Sequence, residues 1–279
     1  QRQQQQQQQQ QTKTTPPYPS IGPYLANVVK HKKMLTKVPP KAGPIKAILW
    51  DMDGTLLDTE TLSDVAIYEA LGIDIKIRET NHYKLPWDIK EPTLGKRGDE
   101  WVPMVIEYAV EHWGLSDPPH WNDMWNKQEA ILNSYCSEVN ECKGATALVK
   151  KLANLHVPMC IATSSRMASV EKKRLRHDRI FQHMQTIVTG EMVDRPKPQP
   201  DIYLEAARRM QVDPSECLVF EDSVAGCQAG KAAGCWVIAV PDIRMKDHSP
   251  FDGAADQILP DLTKFDAHAW LGLATQKPL

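Results

Sequence analysis

Two carboxylates one residue apart, in Asp51-Met52-Asp53-Gly54-Thr55, come directly after the apolar run Ala47, Ile48, Leu49 and Trp50. Carboxylates gathered at one point can carry nucleophilic or proton-transfer chemistry, or share a hard cation. A near-continuous apolar run suits a parallel strand covered on both faces. Ile45 to Trp50 is therefore predicted as a strand with Asp51 at its carboxyl end. In an open α/β sheet that edge is where ligands bind, at the point where strand order reverses. Gly54 permits a sharp exit and a close backbone approach. A solvated turn is the competing reading, because Asp and Gly are common turn formers.

Three later polar groups also follow apolar runs. Val157 to Thr163 reads as a strand ending in Thr163-Ser164-Ser165, ahead of a helix predicted over Arg166 to His177. A hydroxyl there either caps the helix or helps its N-terminus hold an anion. Thr163 is read as the anion contact and Ser165 as the cap. Arg195-Pro196-Lys197-Pro198-Gln199-Pro200-Asp201 is a stiff loop that holds Lys197 before a helix with Tyr203, Ala206, Ala207 and Met210 on its apolar face. Cys217 to Phe220 is a strand that delivers Glu221-Asp222 to the start of another helix. Acids in that position are either favourable dipole partners or ligands.

These groups need a framework that brings strand ends together. From Lys143 the chain alternates helix and strand, which argues for a parallel sheet with right-handed crossovers. Ala145, Leu148, Val149 and Leu152 have the spacing of one helix face. Thr186 to Gly190, Trp236 to Val240 and Ala255 to Leu259 supply further strands. Ala225, Gly226, Ala229 and Ala232 allow a helix to lie close on the sheet, with Gly234 as its stop.

Between the first strand and Asn140 the pattern is helical, beginning with a helix over Leu56 to Leu71. Trp87, Trp101, Trp113, Trp121 and Trp125 fall in this insert, and they are read as core for a small helical unit rather than as a stacking platform for a ring. Residues 1–44 open on a glutamine run and are rich in proline, a composition that buries too little apolar surface to order itself. A net charge of −2 gives no basic excess for nucleic acid, and no run approaches the roughly 18 apolar residues of a membrane span. Six cysteines without Cys-x-x-Cys spacing read as small buried hydrophobes in a reducing compartment.

In order and setting, Asp51 to Thr55, Thr163, Lys-Pro-x-Pro-Asp at Lys197 and Glu221-Asp222 resemble the four motifs of the haloacid dehalogenase superfamily of phosphatases and phosphomutases. Ala162-Thr163-Ser164-Ser165, Arg176-His177 and Val219-Phe220-Glu221-Asp222 are similar to the branch containing pseudouridine-5′-phosphatases and glycerol-3-phosphatases. Trp50 departs from the phenylalanine usual there while keeping an aromatic packing role. The resemblance implies a Rossmann-like α/β core, with a parallel sheet and a helical cap domain inserted after the first strand. The core would comprise 45–61 and 141–265 and the cap 62–140, with 1–44 and 266–279 as tails. Gly95-Lys96-Arg97-Gly98 matches the family's substrate-specificity loop, against the alternative of an exposed basic turn. Lys96 and Arg97 are thus the cap residues expected to select the substrate.

The resemblance also implies a mechanism. A phosphate monoester is a dianion, and Asp51, Asp53, Glu221 and Asp222 would repel it unless a hard cation shared their charge. Mg²⁺ is expected on the side chains of Asp51 and Asp222 and the backbone carbonyl of Asp53, with Glu221 a further ligand or an orienter. Asp51 would be the nucleophile and Asp53 the general acid and base, while Thr163, Ser164 and Lys197 hold the phosphoryl oxygens. The acid at Asp53 points to small phosphate monoesters, hydrolysed through an aspartyl-phosphate. A sugar phosphomutase using the same two acids is the main alternative, and a non-catalytic phosphate-binding protein is the other. The glycine at 98, where mutases of this superfamily carry an arginine, tilts the balance toward hydrolysis. The expected partner is a small phosphorylated metabolite, for a monomer with no nucleic-acid or membrane partner. A cytoplasmic location is expected, with an organelle open because the chain begins at Gln1.

Overall fold

A computed structural model describes residues 45–73, 85–93, 98–136 and 138–272. The expected N-terminal tail, 1–44, lies outside them. Among the described residues six strands form one parallel sheet: β1 (Ala47–Trp50), β2 (Met159–Thr163), β3 (Thr186–Thr189), β4 (Cys217–Glu221), β5 (Trp236–Ala239) and β6 (Gln257–Ile258). Their spatial order is β3-β2-β1-β4-β5-β6. The chain winds outward from β1 in one direction, returns to β4 and winds outward in the other, which makes the β1/β4 boundary the switch point of a Rossmann-like sheet. Register places Trp50 beside Ile161 on one side and Phe220 on the other.

Alternating side chains along β1 explain its unbroken apolar run. Ile48 and Trp50 enter one apolar cluster and Ala47 and Leu49 the other, so both faces are covered. Helices α5 (Ala145–Asn154), α6 (Met167–Arg174) and α7 (Asp178–Phe181) contribute to the first cluster. Helices α8 (Asp201–Met210) and α9 (Val224–Ala232) contribute to the second. Ala145, Leu148, Val149 and Leu152 are buried on one face of α5, as their spacing predicts. Of the six cysteines, five are buried and Cys142 is half-buried, and none forms a disulfide.

Before α5 come α1 (Thr59–Ala70), α2 (Trp87–Thr93), α3 (Gly98–His112) and α4 (Trp121–Ser134), all between β1 and β2. They close on a third apolar cluster that includes Ile67, Leu85, Val102, Val105 and Met124. Trp101, Trp113 and Trp121 pack against it as core, whereas Trp125 is an exposed exception. The first helix begins three residues later than its apolar pattern predicts. Leu56 and Leu57 are drawn into the sheet's own core, and Asp58 caps α1 by accepting from the Thr61 amide at 3.2 Å. The outgoing and returning chains are tied side by side. Asp58 N donates to Asn140 O and Cys142 N to Leu56 O, both at 2.8 Å.

One expectation needs correction at the C-terminus. Residues 266–272 are not a tail: Asp266 caps α10 (Ala267–Leu271), and Trp270 is buried against the core. The Trp270 ring meets Trp236 edge-on, and its indole N–H donates to Gln257 Oε1 at 2.8 Å. A helix of five residues offers barely one turn of periodicity, too little to reveal its buried face.

Trp50 stacks on Phe220 with ring centroids 4.3 Å apart, and Phe220 meets Phe265 edge-on at 5.0 Å. The Trp50 indole N–H is buried and has no hydrogen-bond partner among the described residues. Trp50→Phe keeps the stack and removes an unsatisfied donor worth about 1–3 kcal/mol, a gain set against a cavity of similar cost. Urea unfolding is expected to place Trp50→Phe within about 1 kcal/mol of the wild type and Trp50→Ala about 3–5 kcal/mol below it. A large loss in Trp50→Phe would show that the indole N–H has a partner in solution.

Candidate active site

Strands β1, β2 and β4 bring Asp51, Thr163 and Glu221 to the carboxyl edge of the sheet, around its switch point. Asp51 and Glu221 are both buried, and Lys197 lies between them. Its Nζ donates to Asp51 Oδ1 and to Glu221 Oε1, each at 2.6 Å. The loop carrying Lys197 is braced at its base, where Arg195 forms a two-pronged pair with Asp201 in the first turn of α8. Tyr203, also in the first turn of α8, donates its hydroxyl to Glu221 Oε1 at 2.9 Å and sets its ring beneath the Lys197 ammonium. The other Glu221 oxygen accepts from the amides of Asp222 and Ser223 and from the Ser223 hydroxyl. Glu221 is thus saturated by five donors, and its charge is spent on orienting Lys197.

Asp51 is not saturated. Its Oδ2 is buried and has no hydrogen-bond partner among the described residues. Oxygens of Asp51, Glu221 and Asp222 all lie within 4.8 Å of one another. Gly54, at φ +85°, makes this proximity possible, because a Cβ there would fall 2.2 Å from Asp222 Oδ2. Gly226 does the same for the neighbouring acid. A Cβ on it would sit 1.7 Å from Glu221 Oε1.

Asp53 belongs to a separate cluster. Its Oδ2 accepts from Ser165 Oγ at 2.6 Å and from Thr163 Oγ1 at 3.3 Å, while its Oδ1 accepts from Lys173 Nζ at 2.5 Å. Ser165 therefore does not cap the following helix. Glu191 accepts from the Met167 amide there instead, and the Ser165 amide turns back to Thr163 Oγ1 at 3.0 Å. The helix is also shorter than predicted, with α6 ending at Arg174 and His177 tied to the Val139 carbonyl. Ser164 is exposed beside these residues.

The structure thus brings Asp51, Asp53, Thr163, Ser164, Lys197, Glu221 and Asp222 to one edge. Lys96 and Arg97 lie outside the described residues. Sequence reasoning missed Tyr203, which reads only as part of an apolar helix face, and Lys173. Lys173 sits in the cationic run Lys172-Lys173-Arg174, where only its burial distinguishes it from two exposed neighbours.

The electrostatics follow from burial. Desolvation pushes the Asp51 carboxyl up to about 8 against the pull of Lys197, and the Glu221 and Asp53 charges add to the rise. Desolvation also holds the Asp222 carboxyl well above the usual range, reinforced by Glu221 and Asp51. For Lys197 burial works against the charge, but Asp51 and Glu221 outweigh it and raise the pKa, so the group stays an ammonium. The site has an excess of carboxylate over cation and a buried carboxylate oxygen left open.

A family model described as haloacid dehalogenase-like hydrolase matches residues 45–234. A glycerol-3-phosphatase of Arabidopsis thaliana is 34% identical over 233 residues, covering 82% of this chain and 92% of its own. A probable pseudouridine-5′-phosphatase of Drosophila melanogaster is 36% identical over 222 residues, covering 78% and 90%. Among solved structures, a hydrolase of this family from Deinococcus radiodurans, with bound phosphate and sodium, superposes with a TM-score of 0.65 at 25% identity, covering 85% of this chain and all of the other.

Removing Lys197 leaves two buried acids without their shared cation. Lys197→Met is expected to cost about 3–5 kcal/mol in chemical denaturation. The loss should grow between about pH 6 and pH 9. Without the lysine the Asp51 carboxyl rises beyond about 8, so the folded state keeps, over a wider range, a proton that the unfolded chain has released. Wild-type stability at both pH values would contradict the pairing.

Proposed function

Because the chain belongs to the haloacid dehalogenase-like hydrolase family and is a phosphoric monoester hydrolase, we propose that it uses Mg²⁺ and an aspartyl-phosphate on Asp51 to hydrolyse a small phosphate monoester. The observation that carries this reading is the state of Asp51: one oxygen is fixed by Lys197 and the other is buried beside Asp222 with no hydrogen-bond partner among the described residues. An all-oxygen donor set with surplus negative charge fits a hard divalent cation. Asp51 and Asp222 would hold the ion through their side chains and Asp53 through its carbonyl oxygen, with Glu221, already saturated, as orienter. The ion would supply charge neutralisation for an incoming dianion.

The protein's own groups carry the steps. Lys197 presents Asp51 for in-line attack on phosphorus, forming the Asp51–phosphorus bond as the bond to the substrate oxygen breaks. Lys197 and Ser164 hold phosphoryl oxygens, and Thr163 joins them once its hydroxyl leaves Asp53. A protonated Asp53 gives its proton to the departing alkoxide. It then takes one from the water that cleaves the acyl phosphate and restores Asp51. The substrate class is that of the relatives, a glycerol 3-phosphate, pseudouridine 5′-phosphate or related sugar phosphate.

Phosphate release from glycerol 3-phosphate or pseudouridine 5′-phosphate should require Mg²⁺ and fall to background in Asp51→Asn with the fold retained. Stoichiometric conversion of a hexose 1-phosphate to its 6-phosphate without phosphate release would select the mutase instead.

A second expectation concerns protons. Asp51, raised from 3.8 to about 8, destabilises the metal-free fold increasingly as pH rises across that window, because the unfolded chain has already lost the proton. An ion bound at Asp51 and Asp222 must displace protons, so its affinity rises with pH. The melting-temperature increase caused by Mg²⁺ should be larger at about pH 8 than at about pH 6. An equal shift at both would exclude these two carboxyls as ligands.

A further inference from the structure

We propose that Lys173 is a positioning residue for the proton-transfer step and acts through Asp53, an inference that rests on the acid–base role given to Asp53 above. Lys173 is 5% exposed on α6, between the exposed Lys172 and Arg174. Its ammonium lies 2.5 Å from Asp53 Oδ1 and 3.4 Å from Ser165 Oγ, both at the carboxyl edge of the sheet. Burying an ammonium costs free energy unless it is paired. If the side chain only pinned α6 to the sheet, an apolar residue would do, as Val170 does one turn earlier on the same face.

What the charge supplies is an address for Asp53. Lys197 already has two carboxylate partners, Asp51 and Glu221. Lys173 gives Asp53 a cation of its own. Three donors then hold the Asp53 carboxyl: Lys173 on one oxygen, and Ser165 and Thr163 on the other. Without Lys173, Oδ1 loses its partner and the acid loses the orientation that three donors give it. An acid misplaced by about 1 Å can cost 10²-fold in rate.

The test is a double-mutant cycle in the full chain with Mg²⁺, reading phosphate release from glycerol 3-phosphate and from the aryl ester p-nitrophenyl phosphate. On whichever ester the wild type turns over, Lys173→Met is expected to lower kcat by about 10- to 100-fold with KM within about twofold. Lys173→Arg should recover most of kcat. In an Asp53→Asn background, Lys173→Met should cost less than about twofold. An equal loss in both backgrounds would overturn the inference, since the lysine would then act independently of Asp53. A KM raised tenfold with kcat kept would overturn it too, by making Lys173 a substrate contact. If Lys173→Met fails to fold, Lys173→Gln carries the same comparison. Full activity in Asp53→Asn alone would refute the acid–base role itself, a failure separate from that of Lys173.

Discussion

Keeping three acids together at the β1/β4 boundary, two of them buried, is the constraint on which the rest of this site depends. Asp51 and Glu221 are buried, half-buried Asp222 brings a carboxylate oxygen within 4.8 Å of theirs, and only Lys197 enters that group as a cation among the described residues. An unpaired buried carboxylate costs several kcal/mol. The surrounding features reduce that cost. Tyr203 and the Ser223 turn saturate Glu221. Gly226 admits the Glu221 carboxylate and Gly54 the Asp222 carboxylate. The pair between Arg195 and Asp201 holds the base of the lysine's loop.

One oxygen of Asp51 remains outside this compensation, and that is where chemistry becomes possible. A site with every lone pair satisfied would be stable and inert. Here the sheet is rigid and packed on both faces, so it can hold an incompletely satisfied carboxylate at its edge. The two acids of the first loop are also kept apart in function by their partners. Asp51 is paired with Lys197 and Asp53 with Lys173, Ser165 and Thr163.

The helices between β1 and β2 meet the core at more than the paired crossings near Leu57 and Asn140. Arg244, in the loop after β5, donates to the Leu85 carbonyl at 2.6 Å, lies over the Trp87 ring and reaches Asp64 at 3.4 Å. Asp64 is fully buried and also takes Lys90 at 2.8 Å. A charged network of this kind holds its members in one arrangement, since breaking one pair strands the others in a low dielectric.

Local order in the chain was enough to determine the sheet and most of the edge. The apolar run before Asp51, the helix face at Ala145 to Leu152 and the strand before Glu221 each carry their periodicity within one element. The motif residues Asp51, Asp53, Thr163, Lys197, Glu221 and Asp222 were legible because each directly ends a strand or sits in a proline-stiffened loop. Only the tertiary structure decided the partners. That Ser165 faces Asp53 rather than capping α6, that Tyr203 is a hydrogen-bond donor beneath Lys197, and that Lys173 alone of three successive cations turns inward all depend on how helices lie across the sheet. Those contacts span 18 to 120 residues of sequence. No local pattern encodes them, because a helix's periodicity says which face is apolar but not which polar atom will stand opposite a given residue once that face is packed.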